Sequence, residues 1–274
     1  MANSNNLPPN DSFHVTNSGK GYCFRIHIDK TPSRCYNQNE PFILTPKKRR
    51  EFTLDTERLE KICSAARRLF NQKGYPDTKM AEIAKEAEIA VGTLYSMFTG
   101  KESVLTFTIL CALDKGCLYR DIPLPIKTID TSVLKVNLER VFEEIRLVLQ
   151  VTGEGGSIRK DFITLMGELY DVFADYMMSL DNIEKNGKIL EELNSIYLPQ
   201  KRWFWGEMGR LLKLYMEEGQ IQPIQYVPAH VEFLIKTLSW WSVNVWNAFP
   251  DMDISPGVAK ETFLGIIRRA YQVN

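Results

Sequence analysis

At 274 residues, with 44% hydrophobic and 25% charged side chains, the chain has the makeup of a globular protein of one or two domains that can bury a sizeable core. Lys+Arg and Asp+Glu both number 34, which excludes a protein coated in basic surface. Apolar runs stay short of the roughly 18 residues a membrane-spanning helix needs, and the opening MANSNNLPPNDS lacks both the cationic start and the apolar centre of a secretory signal, so a cytoplasmic protein is expected.

The charge is unevenly placed. Residues 47–101 hold 12 Lys+Arg against 8 Asp+Glu, whereas 102–274 hold 18 against 23. One basic module joined to an acidic one suits a protein that meets nucleic acid with one end only. Five cysteines (Cys23, Cys35, Cys63, Cys111, Cys117) form no CxxC pair and read as free thiols of a reducing compartment, so neither a metal nor a cofactor is expected.

Residues 1–46 are rich in Asn, Ser, Pro and Gly around a weak alternation, Tyr22 to Ile28, and are expected to be disordered or a loose arm. Lys47-Lys48-Arg49-Arg50 is either a basic arm reaching toward phosphates or a solvated run before a helix. A helix is predicted over about Thr56 to Lys73, with Asp55 as N-cap and Leu59, Ile62, Cys63, Ala66, Leu69 and Phe70 as its apolar stripe. Gly74 can take the left-handed position beyond it, and Pro76 prevents continuation.

Two short helices follow, Met80–Ala87 and Val91–Phe98, broken at Glu88-Ile89-Ala90. This is the layout of a helix-turn-helix. Leu94 and Phe98 face inward, sharing a core with Leu69, Phe70, Ile83 and Ala84, while Gly92, Thr93, Tyr95 and Ser96 offer small or hydrogen-bonding groups to a major groove. Thr99 and Glu102 have the spacing of a capping box that starts a further helix and puts Lys101 on its first turn, placed for a phosphate. That helix is expected to run to about Tyr119, stopped by Pro123 and Pro125, and to link the two halves.

Helical periods recur over Thr131–Thr152, Ile158–Leu180, Lys188–Tyr197 and Gln200–Glu218. A loop is expected at Asp181–Gly187, and the two helices on either side of Pro199 are expected to be separate. Thr152-Gly153-Glu154-Gly155-Gly156-Ser157 lacks the Lys-Ser/Thr ending of a phosphate loop and reads as a connection. Two regular helices close the chain, near 228–249 and 256–272. They could pair with a second copy in a four-helix bundle or simply close the monomer's core. Trp203, Trp205, Trp240, Trp241 and Trp246 crowd this end, as core or as lining of an apolar pocket.

Ala65 to Phe70, Lys73-Gly74-Tyr75, Ile83-Ala84, Gly92-Thr93-Leu94-Tyr95, Phe98 and Lys101-Glu102, in this order and spacing, resemble the DNA-binding domain of the TetR family of bacterial transcriptional regulators. The resemblance implies an all-α homodimer. Its N-terminal three-helix helix-turn-helix domain (47–100) would bind a palindromic double-stranded DNA operator. Its larger C-terminal ligand-binding and dimerisation domain (101–274) would respond to a small apolar or aromatic effector, with the dimer formed through helices near 228–249 and 256–272. Carried over by position, the DNA contacts fall on Thr78, Lys79, Val91, Gly92, Thr93, Tyr95, Ser96, Met97 and Lys101. Val91, Met97, Ala90 and Glu88 depart from the family's usual residues, and Glu88 stands where a turn glycine is common. Phe162, Tyr170, Phe173 and Trp203 are the candidate effector contacts. The alternatives are a non-specific nucleic-acid-binding or scaffold protein and, with less support, an enzyme: His14, His27 and His230 are scattered, and no nucleophile is paired with a base.

Overall fold

The structure is a computed structural model that describes residues 46–271 except 115, 121 and 244–253, with side chains from Asp55 onward except at 154. The expectations for 1–45, the side chains of Lys47 to Arg50, His14, His27, Cys23, Cys35, Trp246 and the end of the 228–249 helix therefore lie outside the described residues. The described residues form nine α-helices and no strand. They are α1 (Pro46–Asp77), α2 (Met80–Glu86), α3 (Val91–Met97), α4 (Lys101–Leu113), α5 (Thr131–Val148), α6 (Phe162–Lys185), α7 (Glu191–Glu217), α8 (Val227–Val243) and α9 (Pro256–Tyr271). None is long and apolar enough to cross a membrane.

Helix α1 starts a full ten residues before the predicted Thr56, so Asp55 lies inside it and its carboxylate accepts from Arg58 rather than capping the helix. Gly74 interrupts α1 at φ +80°, a conformation its missing Cβ allows, but the chain is helical again to Asp77, so Pro76, expected to prevent continuation, lies inside the helix instead. The stripe Leu59, Ile62, Cys63, Ala66, Leu69, Phe70 is buried, together with Ile83, Ala84, Leu94 and Phe98. Each large member of that set contributes roughly 1.5–3 kcal/mol by leaving water, which is what holds two seven-residue helices that could not persist alone.

Helix α4 is buried on every side from Ser103 to Leu113, the mark of a central element, and packs on α1, α5 and α6. Two of its boundaries differ from expectation. Its start is one residue later than the Thr99/Glu102 box: Gly100 is the N-cap, and its amide donates to the Ser103 hydroxyl at 3.1 Å while Thr99 donates to the Ile126 carbonyl. Its last residue is Leu113, six residues early, because the carboxylate of the C-cap Asp114 accepts from the Gly116 amide at 3.1 Å and pairs with Arg120 at 2.6 Å, turning the chain into a short 3-10 turn, Cys117–Tyr119.

Asp130 and Asp161 cap α5 and α6, accepting from the amides of Ser132 and Thr164. The glycine-rich segment is a tight connection closed by an isolated bridge, Thr152 to Ile158. Of the loop expected at Asp181–Gly187 only Asn186 and Gly187 are a turn, and no break occurs at Pro199. Helix α6 runs on to Lys185, and α7 runs through Pro199, which sits on the exposed side with Ser195, the residue whose carbonyl the proline ring leaves unpaired. Facing solvent, that carbonyl can bond water, so the break a proline usually imposes is avoided.

Candidate nucleic-acid interface and the cavity behind it

The turn between α2 and α3 is built from backbone. The Glu88 amide donates to the Lys85 carbonyl at 3.1 Å and the Ile89 amide to the Ala84 carbonyl at 3.0 Å, the paired bonds of a Schellman motif, with Glu88 itself at φ +56°. A side chain thus occupies the left-handed position that glycine fills without cost. Ile89 then turns inward and α3 begins at Val91.

Helix α3 presents two faces. Leu94, Met97 and Phe98 are buried; Val91, Gly92, Tyr95 and Ser96 are exposed, Tyr95 by 53%, and Thr93 is half-buried. A Cβ placed on Gly92 would meet nothing, so this point of the helix is open to close approach from outside. The Ser96 hydroxyl is already spent on the Thr93 carbonyl at 2.7 Å. Lys79, exposed, stands at the N-terminus of α2, where its amide donates to Glu82 at 2.9 Å.

Three of the nine expected contact residues are placed otherwise. Met97 is 2% exposed because it lies three residues beyond Leu94, on the same face of the helix. Thr78 is 1% exposed, and its hydroxyl donates to the Gly74 carbonyl at 2.8 Å, tying the end of α1. Lys101 does not project outward. Its ammonium donates to the carbonyls of Tyr75, Pro76 and Thr78 at 2.7, 3.3 and 2.9 Å and rests 4.2 Å from the Tyr75 ring. It is a cation placed against a helix end that leaves carbonyls unpaired. The outward set is therefore Lys79, Val91, Gly92, Thr93, Tyr95 and Ser96.

Much of the module's positive charge is paired: Arg68 with Glu86 at 2.9 Å, Lys73 with Glu82 at 2.7 Å, Lys61 with Glu88 at 3.9 Å. Lys73 and the Lys79 amide hold the Glu82 carboxyl below the usual carboxylate range. The far end of α3 is clamped to the segment after α4, where Thr99 donates to the Ile126 carbonyl at 3.0 Å and Ile126 to that of Met97 at 2.7 Å.

Helix α6 grips the same module from behind. The Tyr75 amide donates to Asn186 Oδ1 at 2.7 Å, and Asn186, 4% exposed, donates in turn to the Asn182 carbonyl at 2.9 Å. Asn182 Nδ2 reaches the Arg67 carbonyl at 3.3 Å and Lys185 reaches Asn71. The residues that hold α1 thus belong to the last turn of α6 and its C-cap, Asn186.

The preceding turns of α6 line a cavity of about 30 Å³ between α5, α6 and α7, bounded by Phe142, Ile145, Phe173, Met177, Tyr197 and Phe204 among others. Of the four expected effector contacts only Phe173 lines it. Phe162 stacks on Tyr215 and Tyr271, each at 5.5 Å. The Tyr170 hydroxyl donates to the Trp241 carbonyl at 2.8 Å, and Trp203 carries the Arg146 guanidinium at 5.0 Å. Those three lie outside the cavity, with their side chains against other helices. Phe142 and Phe204, missed as candidates, stand on stripes visible in the sequence, but pairing them needs three helices brought together. At the rim Lys201 pairs with Glu184 at 2.7 Å. Burial drives the Tyr197 hydroxyl well above its ordinary range, with Glu184 adding to it, and burial likewise raises the Asp181 carboxyl.

Helices α8 and α9 bury one side (Val231, Leu234, Ile235, Leu238; Phe263, Ile267, Tyr271) against the core, α6 above all. Ile266 is exposed. With Phe233, Trp240 and Val258 it leaves a second apolar set on the outer side of the two helices.

Residues 62–106 match the family of bacterial regulatory proteins, tetR family. Over 58 residues the chain is 40% identical to the HTH-type transcriptional regulator HbdR of Aromatoleum sp. (strain CIB), a stretch that is 21% of this chain; the chain spans 25% of the length of that relative. Among solved structures it is similar to the ketosteroid transcriptional regulator KstR2 of Mycobacterium tuberculosis, at 17% identity over 79% of this chain and 96% of that one, with a TM-score of 0.47. It is also similar to the fatty acid degradation regulator FadR of Bacillus halodurans, at 17% identity over 82% and 96%, with a TM-score of 0.38.

Proposed function

We propose that this chain, whose residues 62–106 are those of a TetR-family N-terminal domain, is a sequence-specific DNA-binding transcriptional regulator that responds to a small apolar or aromatic effector. The carrying observation is the outward face of α3. It offers Val91, Gly92, Thr93 and Tyr95 on a helix whose other face is locked into the module's core. Val91 and Tyr95 suit apolar and edge contacts with thymine methyls and sugars, and the amides at the start of α3, which Ala90 leaves without a side-chain cap, suit a phosphate.

The protein acts as a homodimer in the cytoplasm. The outer apolar faces of α8 and α9 support a two-fold interface in which the same surface meets its copy, which sets two α3 helices against a palindromic operator about one DNA turn apart. The effector enters between α5, α6 and α7. The cavity there is far smaller than the roughly 300 Å³ a small-molecule site needs, so binding requires those helices to separate. Helix α6 carries the displacement to Tyr75 through Asn182 and Asn186 and weakens DNA binding, so the output is repression relieved by effector. The division into a DNA-binding module at 47–100 and an effector and dimer module at 101–274 follows from this use of the chain.

The test is selection from a random double-stranded library with the purified full chain, followed by binding of the selected and scrambled sequences at one salt concentration. A palindromic consensus bound at least about a hundredfold more tightly than its scramble supports the reading. Equal affinity for both leaves only non-specific binding and ends it.

A further inference from the structure

The wall of the cavity between α5, α6 and α7 is apolar or aromatic except at one point, where Lys201 of α7 brings a charge to it. The Lys201 ammonium lies 5.4 Å from the centre of the Trp205 ring and 6.0 Å from that of Tyr197, and 25% of its side chain is exposed. The two other polar groups of the wall are committed to carboxylates: the Tyr197 hydroxyl donates to Glu184 at 3.3 Å, and the Trp205 indole N–H to Glu232 at 2.7 Å. Lys201 donates to both oxygens of Glu184, at 2.8 and 2.7 Å. Glu184 is not part of the wall; it reaches Lys201 from the last turn of α6, with 38% of its own side chain exposed. An ion pair this open to water is weak and exchangeable, whereas a cation beside aromatic faces is held there. Glu184 is therefore the partner that can turn into water. The pair also joins the two helices that have to part, and Asn186, which holds the Tyr75 amide, follows Glu184 by two residues.

We propose that the effector is an apolar molecule with a single carboxylate, whose head replaces Glu184 on Lys201 while its body fills the space opened between α5, α6 and α7. This deepens the reading given under the proposed function and rests on it. The Tyr197 hydroxyl, which burial keeps protonated, becomes a second donor to the incoming carboxylate once Glu184 has left. A cationic ligand would be driven against Lys201, the one charge of the wall. A neutral ligand would cover the Lys201 and Glu184 pair and take water from it without supplying a better partner. The exchange also gives the ligand a means of acting. Freeing Glu184 unlatches the end of α6 from α7 beside the Asn186 contact to Tyr75, so the charge of the head, and not bulk alone, separates the helices.

The experiment is titration calorimetry on the full chain with probes matched in all but the head: octanoate, octanamide and octylammonium, with cinnamate and cinnamamide as an aromatic pair. Each acid should bind about tenfold or more tightly than its amide, the order expected of a hydrogen bond to a charged group, and octylammonium should be the weakest. Variants are compared where their helical circular dichroism matches wild type. Lys201→Met should bring the acids down to the affinity of the amides, and Lys201→Arg should restore most of the preference. Glu184→Gln, which removes the competing carboxylate, should tighten the acids severalfold. Amides or the ammonium binding as tightly as the acids, a preference for acids that survives in Lys201→Met, acids bound no more tightly by Glu184→Gln, or no binding of either acid would each overturn the proposal. Amides bound in place of acids would leave an effector site of different chemistry standing. Acid binding needs no DNA, so the library selection decides the regulator reading independently of it.

Discussion

Replacing Lys101 by methionine separates two roles that the same residue could play. Methionine keeps most of the stem and its contact with the Tyr75 ring but removes the ammonium, and with it the bonds to the carbonyls of Tyr75, Pro76 and Thr78 at 2.7, 3.3 and 2.9 Å. A single hydrogen bond to a charged group is worth about 1.5–3 kcal/mol, and a cation over an aromatic ring at an accessible site about 0.5–1 kcal/mol. The three bonds share one ammonium and do not add, and water can reach part of the site. The expected loss of unfolding free energy is therefore about 2 kcal/mol, or about 4–8 °C in melting temperature for a chain of this size. The assay is urea and thermal unfolding of wild type and Lys101→Met at one protein concentration, which holds any contribution of self-association fixed, alongside DNA binding at a temperature where both are folded. Unchanged stability with a clear loss of DNA affinity and of its salt dependence would show that Lys101 leaves its carbonyls for a phosphate, and would refute the structural role.

Glu88→Gly should stabilise the protein by up to about 1 kcal/mol, since it relieves a non-glycine residue at φ +56°; a drop in melting temperature would mean that the Glu88 side chain matters more than its backbone. Tyr95→Ala, at an exposed position on α3, should leave unfolding unchanged and weaken operator binding by about tenfold in fluorescence anisotropy. Asp161 caps α6: burial would raise its carboxyl, but bonds from the Thr164 hydroxyl and amide outweigh it and hold it below the usual range. Its folded-state pKa is thus below the unfolded value near about 4, so its stabilisation is complete above that pH and is lost as pH falls through the folded value. Asp161→Asn, which keeps an N-cap, should flatten the fall in stability on acidification, measured by urea unfolding between neutral pH and about pH 3.

What the sequence shows and hides follows from the range of the interactions. Gly74, the break at Glu88 and the inward pair Leu94 and Phe98 are local: period and backbone conformation settle them, and each stands where it is expected. Met97, Thr78 and Lys101 fail as outward residues because a position in a motif fixes where a Cα lies, whereas the partner of a side chain depends on the Gly74 carbonyl, the Tyr75 ring or the packing beneath α3. The same holds for the end of α4, set by ion pairs from Asp114 to Arg120 and Arg140. Proline as a helix breaker misleads at Pro199, where solvent takes over the carbonyl it orphans. The cavity draws side chains from three helices, and no periodicity within one of them announces which neighbours it will have.

The smallness of that cavity links two quantities that are usually measured apart. A molecule that must push α5, α6 and α7 apart binds more weakly than its contacts warrant, by the free energy needed to hold the open form. On the proposed function, only this conformational difference is available to disfavour the DNA-bound arrangement, because a ligand with equal affinity for both forms shifts neither. A variant with room already made, such as Phe204→Ala, should take up the effector more tightly and yet respond to it less. In such a protein sensitivity and amplitude of response trade against each other at a single packing contact.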